Sequence, residues 1–393
     1  MRKSNRQTKG VPGINKAKKG NDMRSDQLVQ EAIETMTSIV RLSSTSGHEE
    51  NVRSYIENRL RQWDIAFQVD QVGNLIARIP ANQVDDDVPP LLLNAHMDRV
   101  PNGLGCDPVI SDDGWMSSDG TTNLGADDAA GITIILLGIE HLLSEDLPHA
   151  PILLLFTVQE EIGLVGARSF DYASWGVHEG MIFDNADAPG VVIERGSGYI
   201  AFDAVIKGIG GHPAKDLSST ASAIEIFRRV RQATGELDEG NTRISFGTIS
   251  GGTARNAIAD ECRIEGEIRT QLDADDQKRL CEEMERDFAE AARSLGGSAE
   301  VRFKTLAANY HVNLEEPLAQ AFRSACEQHG YPFATASTFV ASDANALRSG
   351  LNVFTVSTGV VNEHSVAEKV QIEPIADLVP VLISVLTSYR SKN

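Results

Sequence analysis

Apolar residues recur at helical spacing over Gln27–Leu42, at Leu28, Ala32, Ile33, Met36 and Ile39, and the run stops at the turn cluster Ser43–Gly47. The same spacing, with Val52, Tyr55, Ile56 and Leu60 on one face, predicts a second helix over His48–Trp63. Short strands follow over Phe67–Val69 and Leu75–Ile79, and Asp85–Asp87 before Pro89 and Pro90 reads as a solvated loop. The pattern then becomes one of continuous apolar runs: Leu91–Leu93, Ile152–Val158, Gly180–Phe183 and Val353–Val356. Such runs without alternation predict strands buried on both faces. A strongly apolar helix, Ile132–Leu143, lies between the first two. Buried strands separated by helical patterns predict a mainly parallel α/β sheet.

From about Gly196 the pattern changes. Tyr199–Ile206 alternates, Ser218–Gly235 is amphipathic at helical spacing, and Arg243–Ile249 and Ala259–Arg269 read as strands. A long charged helix, Asp273–Leu295, and a strand, Ala299–Leu306, complete a βαββαβ order, which predicts a small open sheet with two helices on one face. Helical spacing returns over Leu314–His329 and again over Ile375–Tyr389. The expected organisation is a discontinuous α/β domain (25–195 and 309–393) interrupted by an inserted α+β domain (196–308). A chain of 393 residues is long enough for two cores.

Composition adds limits. At 41% hydrophobic and 23% charged residues the chain reads as globular, and no apolar run approaches the length of a membrane span. The formal charge of −20 opposes general nucleic-acid binding. Residues 1–24 form the exception, a basic tail without an apolar core, expected to be disordered and to carry no secretory signal. The cysteines, Cys106, Cys262, Cys281 and Cys326, show no paired spacing, which suits a reducing, cytoplasmic setting and suggests neither a disulfide framework nor a thiolate zinc site.

The chemistry sits where the buried runs end. Leu91–Leu93 leads into Asn94-Ala-His96-Met-Asp98, Ile152–Val158 into Gln159-Glu160-Glu161, and Gly180–Phe183 into Asp184; Asp127-Asp128 precede the apolar helix, and His364 follows the Val353–Val356 run. Ligands of parallel sheets bind beyond the carboxyl ends of the strands, so these residues are expected to converge. Two histidines with several carboxylates form a nitrogen-and-oxygen ligand set suited to Zn²⁺, with Mn²⁺ or Co²⁺ as alternatives. There are enough of them for two metals about 3.5–4 Å apart, which can activate a water and polarise a carbonyl. In an acidic pair such as Glu160-Glu161, one carboxylate can bind metal while its neighbour moves protons. From the residues alone the expectation is a di-metal hydrolase of an amide-like bond.

These motifs resemble the co-catalytic zinc peptidase family of peptidase T, carboxypeptidase G and the aminoacylases, most closely the peptidase T branch. The resemblance rests on Asn-Ala-His96-Met-Asp98, Leu-Gly-Ala-Asp127-Asp128-Ala-Ala-Gly, Thr-Val-Gln-Glu160-Glu161-Ile-Gly and Ser-Asp343-Ala-Asn345 followed by His364. In the inserted region it rests on Gly-Gly-His212-Pro, Thr-Ala-Arg-Asn256 and Glu-Ile-Arg269. It implies that His96 and Asp184 hold one zinc, Glu161 and His364 the other, and that Asp127 bridges them. Glu160 would be the general base, and Asp98 would hydrogen-bond His96 and fix its tautomer. His212, Asn256 and Arg269 would contact substrate from a lid that also supplies a homodimer contact. The family often carries Lys after the paired aspartates, where this chain has Ala129. The implied activity is hydrolysis of di- or tripeptides by metal-activated water, with an N-acyl amino acid amidohydrolase or a glutamate-type carboxypeptidase as the alternative on the same scaffold.

Overall fold

Four apolar strands form the middle of the larger sheet. Leu91–His96, Ile152–Thr157 and Glu179–Phe183 are buried at every position, and Asn352–Val356 at all but its first. They pair in parallel, with Leu91–His96 between Ile152–Thr157 and Glu179–Phe183, and Asn352–Val356 beyond the latter. Their carboxyl ends therefore share one edge. The chain is described from a computed structural model that covers residues 22–84, 87–102, 104–215, 217–232 and 234–390. Most of the basic tail and residues 85 and 86 of the acidic loop lie outside those residues.

The sheet has nine strands and is mixed, since antiparallel strands flank its parallel centre. Leu75–Ile79 pairs antiparallel with Ile152–Thr157 and carries Phe67–Val69 outside it. On the other side Val191–Gly196 runs antiparallel to Asn352–Val356, pairs antiparallel with Tyr310–His311 and takes Ala334–Thr338 in parallel. The hydrophobic pattern did not reveal Val191–Gly196, because Glu194 and Arg195 end its apolar run after three residues. Helices Asp22–Val40, Ala126–Ser144 and Ile372–Ser388 pack on one another, and the last also packs on Pro317–Gln328. Among the described residues no helix is long and apolar enough to cross a membrane.

A second, five-stranded sheet is antiparallel throughout, in the order Gly235–Leu237, Thr242–Gly251, Glu261–Thr270, Gly198–Lys207 and Ser298–Ala307. Its core is its own: Ile200, Phe202, Ala204 and Ile206, one face of an alternating strand, meet Met284, Phe288 and Ala292 of helix Ala274–Ser294. The helix expected over Ser218–Gly235 is shorter, Ala223–Phe227. The Ser222 hydroxyl caps its start, and beyond its end the Arg231 backbone N–H donates to Asp287 on the long helix at 2.6 Å rather than continuing a helical ladder. The chain crosses between the sheets near Ser197 and Ala308. The Asn345 amide donates to both of those carbonyls, at 2.9 and 2.6 Å.

Candidate metal centre

Each strand end delivers one acidic or imidazole group to the shared edge. His96, the last residue of its strand, is 3% exposed. Its Nε2 lies 3.1 Å from Asp127 Oδ1. His364 Nε2 lies 3.4 Å from Asp127 Oδ2 and 2.9 Å from Glu161 Oε2. Asp127 thus stands between the two imidazoles, one oxygen towards each. His96, Asp127 and Glu161 offer ligand atoms all within 4.8 Å of one another.

The supports are as specific as the cluster. The Asp98 backbone carbonyl is 3.0 Å from His96 Nδ1, closer than its carboxylate at 3.5 Å. The carboxylate is used mainly elsewhere. It accepts the Ser46 hydroxyl at 2.6 Å and the backbone N–H groups of Glu160 and Glu161 at 2.9 and 3.2 Å. Asp98 therefore holds the loop carrying both glutamates as well as facing His96. Glu49 holds the same loop one residue earlier, through the Gln159 backbone N–H at 3.1 Å.

Asp128 points away from the cluster's two imidazole Nε2 atoms. It accepts the His96 backbone N–H at 3.2 Å and that of Gly131 at 2.9 Å, tying the helix start to the strand end. The Asp127–Asp128 peptide is cis. A Cβ at Gly131 would lie 2.1 Å from the Phe183 carbonyl oxygen, so only glycine lets the helix approach the end of the strand that precedes Asp184.

Burial and charge set the proton affinities. Burial pushes Asp184 up to about 7, and the neighbouring Asp127 carboxylate adds to it. Burial also holds Glu160 well above the usual carboxylate range, although the charge of His96 opposes it. Burial alone would raise Asp127, yet hydrogen bonds to His364 and His96 bring it well below its ordinary value. Those same bonds, to Asp127 and then Glu161, push His364 up to about 10. Burial lowers His96, and hydrogen bonds to Asp127 and Asp98 outweigh it and raise that imidazole well above its usual value. Without a cation, then, this cluster retains protons on its nitrogens to separate its carboxylates.

The donor set fits divalent cations. Glu161 Oε1 is buried without a hydrogen-bond partner, a state that costs about 1–3 kcal/mol in the absence of a ligand. The remaining donors are imidazole nitrogens and carboxylate oxygens with no cysteine among them, the chemistry of an open, water-holding site. Glu160 differs from its neighbour: among the described residues nothing donates a hydrogen bond to its carboxylate, so that group is available to a substrate or water.

Asp184 directly follows its strand and is buried, whereas Asp187 is exposed and bonds only locally, accepting from Asn185 at 3.0 Å. The substrate-binding candidates are not gathered into the cluster. His212 and Asn256 are exposed, and His212 Nδ1 accepts the Ala214 backbone N–H at 3.1 Å. Arg269 lies 3.6 Å over the Tyr199 ring, and its Nε is buried without a partner. It lines a cavity of about 780 Å³ with Arg243, Glu267, Phe339 and Val340, between the small sheet and the segment before Asp343.

Two carboxylates escaped the strand-end argument. Asp343 is buried and accepts from Thr157 and from Asn94. It lies within a recognised motif, but no spacing signalled its place. Glu368, four residues after His364, is fully buried and accepts two backbone N–H groups beside Asp127.

A histidine and carboxylate cluster beyond the carboxyl edge of a parallel-centred sheet, with a second sheet beside it, defines a metal-dependent hydrolase. Residues 92–388 match the Peptidase family M20/M25/M40, and the chain belongs to that family. It is similar to the uncharacterized protein YqjE of Bacillus subtilis (strain 168), 26% identical over 365 residues, covering 90% of this chain and 97% of the relative. Its fold is similar to that of aminopeptidase PepT from Bacillus cereus ATCC 10987, with TM-score 0.85 and 25% identity over 91% of this chain and 98% of the other. A tripeptidase from Staphylococcus aureus subsp. aureus mu50 is as similar, with TM-score 0.86 and 26% identity over 91% and 98%.

Proposed function

We propose that the protein is a dinuclear zinc aminopeptidase of small peptides, with Co²⁺ or Mn²⁺ as possible substitutes. The observation that carries this reading is the Asp127 carboxylate, shared between His96 and His364, beside an unpartnered Glu161 oxygen and a free Glu160 carboxylate. The aminopeptidase and tripeptidase named above support the choice of substrate.

In this reading His96 and Asp184 hold one cation, Glu161 and His364 the other, and Asp127 both. When bound, the pair supplies Lewis acidity for the scissile carbonyl and lowers the pKa of a water. Glu160 would serve as the proton carrier, accepting a proton from water on its carboxylate and delivering it to the leaving amine. Burial raises its proton affinity towards that of the groups it serves. Asp98 keeps Glu160 in place through the backbone N–H bond. Arg269, stacked on Tyr199 and paired with Glu267 at 3.4 Å but with its Nε unpartnered, receives the peptide's terminal carboxylate, and His212 and Asn256 complete the site when the small sheet closes as a lid. The same sheet provides the contact of a homodimer, and the enzyme works in the cytoplasm.

The test is a substrate panel on the zinc-loaded protein: tripeptides and dipeptides with free amines against N-acetylated amino acids and glutamate-terminated peptides. Cleavage of the free-amine peptides, lost on N-acetylation, is the expected result. Turnover of blocked amines only would replace this reading with an amidohydrolase or carboxypeptidase.

A further inference from the structure

Glu368 is fully buried, and its two oxygens are used separately. Oε2 accepts the Gly125 backbone N–H at 2.9 Å and Oε1 that of Asp127 at 3.0 Å. One carboxylate thus grips the backbone on both sides of Ala126, immediately before the residue shared by the two imidazoles. Against the same segment lies Arg99, also buried, whose guanidinium donates to the carbonyls of Ile39, Val40 and Leu124. Gly125 is pressed against it at φ +74°, and a Cβ there would lie 2.4 Å from the guanidinium carbon. The segment leading into Asp127 is therefore held by a buried anion at Gly125 and Asp127 and by a buried cation at Leu124.

Glu368 also belongs to the segment that carries His364. Residues 361 and 369 exchange two backbone hydrogen bonds, Val361 N–H to Lys369 O at 2.8 Å and Lys369 N–H to Val361 O at 2.9 Å. They close a small loop with His364 at its half-exposed tip, at φ +62°, and Glu368 at its buried base. The Lys369–Gln371 strand extends the closure by pairing with Trp115–Ser117. The loop that presents the His364 imidazole is thus the one that fixes the Asp127 backbone.

We propose that Glu368 is a positioning residue that couples the His364 loop to Asp127, so that the two-cation site is set in advance of metal binding. This rests on the dinuclear reading above. Its chemistry needs a carboxylate. A glutamine has one oxygen acceptor, and its amide N–H₂ would meet the second backbone N–H donor head-on. A buried donor is then stranded and the Asp127 segment is free to withdraw from His364. Groups that orient metal ligands change metal affinity by roughly 10–100-fold when removed.

The experiment titrates the metal-stripped full chain with Zn²⁺ and Co²⁺ alone, by calorimetry and by metal analysis after gel filtration, for the natural sequence, Glu368→Gln and Glu368→Asp. The natural chain is expected to bind two ions. Glu368→Gln is expected to bind them roughly 10–100-fold more weakly, and Glu368→Asp less severely, with the metal-free melting temperature of Glu368→Gln lowered by its stranded donor. Equal affinity and stoichiometry in Glu368→Gln overturns the proposal, and so does a lowered metal-free stability with unchanged affinity, which marks a merely structural role. Failure of the natural chain to bind two ions refutes the dinuclear reading instead. Hydrogen exchange on the natural chain decides the matter even where a variant does not fold: residues 124–128 are expected to be protected before metal is added. Rapid exchange there in the metal-free protein refutes the preset clamp.

Discussion

At the scale of single residues, Glu160 and Glu161 show how one dipeptide divides its work. Adjacent side chains leave the loop in different directions, and Asp98 fixes both backbones. Glu161 reaches His364, while Glu160 stays buried and free of hydrogen-bond donors among the described residues. Glu160→Gln is expected to lower kcat by roughly 10²–10⁴-fold with metal content unchanged, measured by peptide hydrolysis alongside metal analysis. A variant that retains turnover within a few-fold would remove Glu160 from proton transfer. The cluster also dictates a pH response. His364 is raised to about 10, so its protonated form favours the metal-free fold below its ordinary value near 6.5, and this contribution is lost as pH rises through about 10. Asp184, raised to about 7, acts in the same direction over a lower range: the unfolded chain ionises first, so the metal-free fold loses stability as pH climbs from about 4 to about 7. The metal-free protein should melt progressively lower towards alkaline pH. Metal binding near neutrality should release protons, seen as a buffer-dependent heat in calorimetry. A heat independent of buffer would show that the imidazoles are already neutral.

At the scale of elements, the parallel strands and the groups at their ends were legible because burial on both faces leaves an uninterrupted apolar run. Two strands beyond Asn352–Val356 were not: Val191–Gly196 and Ala334–Thr338 mix polar and apolar positions, and pairing partners far along the chain define them. Site residues on strand ends were visible for the same reason, whereas Glu368 and Glu49 act through backbone N–H groups that no side-chain pattern reports. The start of helix Ala126–Ser144 is the most constrained junction. Gly131 lets it meet the Phe183 carbonyl, and a Cβ there would also lie 2.5 Å from an Asp128 carboxylate oxygen. Gly131→Ala is expected to destabilise the metal-free protein by about 1–3 kcal/mol, as overpacking does, and to weaken metal binding by displacing Asp128 from the His96 backbone. Urea denaturation and metal titration measure the two effects separately. Natural stability and affinity in this variant would mean that the helix can shift without disturbing the site.

At the scale of the molecule, two cores are joined by two crossings, and one side chain holds both. The Asn345 amide donates to the Ser197 and Ala308 carbonyls, while its oxygen accepts the Ser342 backbone N–H at 3.0 Å. The small sheet carries Arg269, and the larger one carries the histidine and carboxylate cluster, so the distance between the two depends on how these crossings are held. The sequence contained Asn345 within a motif, but its task depends on residues 148 and 37 positions away. Asn345→Asp keeps the size and the Ser342 acceptor and turns the donor into a second acceptor facing two carbonyls. Asn345→Ala removes both functions and strands buried groups at about 1–3 kcal/mol each. If the amide sets the angle between the sheets, both variants should bind metal normally, raise KM several-fold more than they lower kcat, and broaden the small-angle scattering profile. An unchanged KM and scattering profile in Asn345→Asp would place the control of that angle in the packing around the crossings. A fall in kcat alone would instead mean that Asn345 acts on the cluster, through its helix neighbour Asp343 and the Asn94 side chain that Asp343 accepts from.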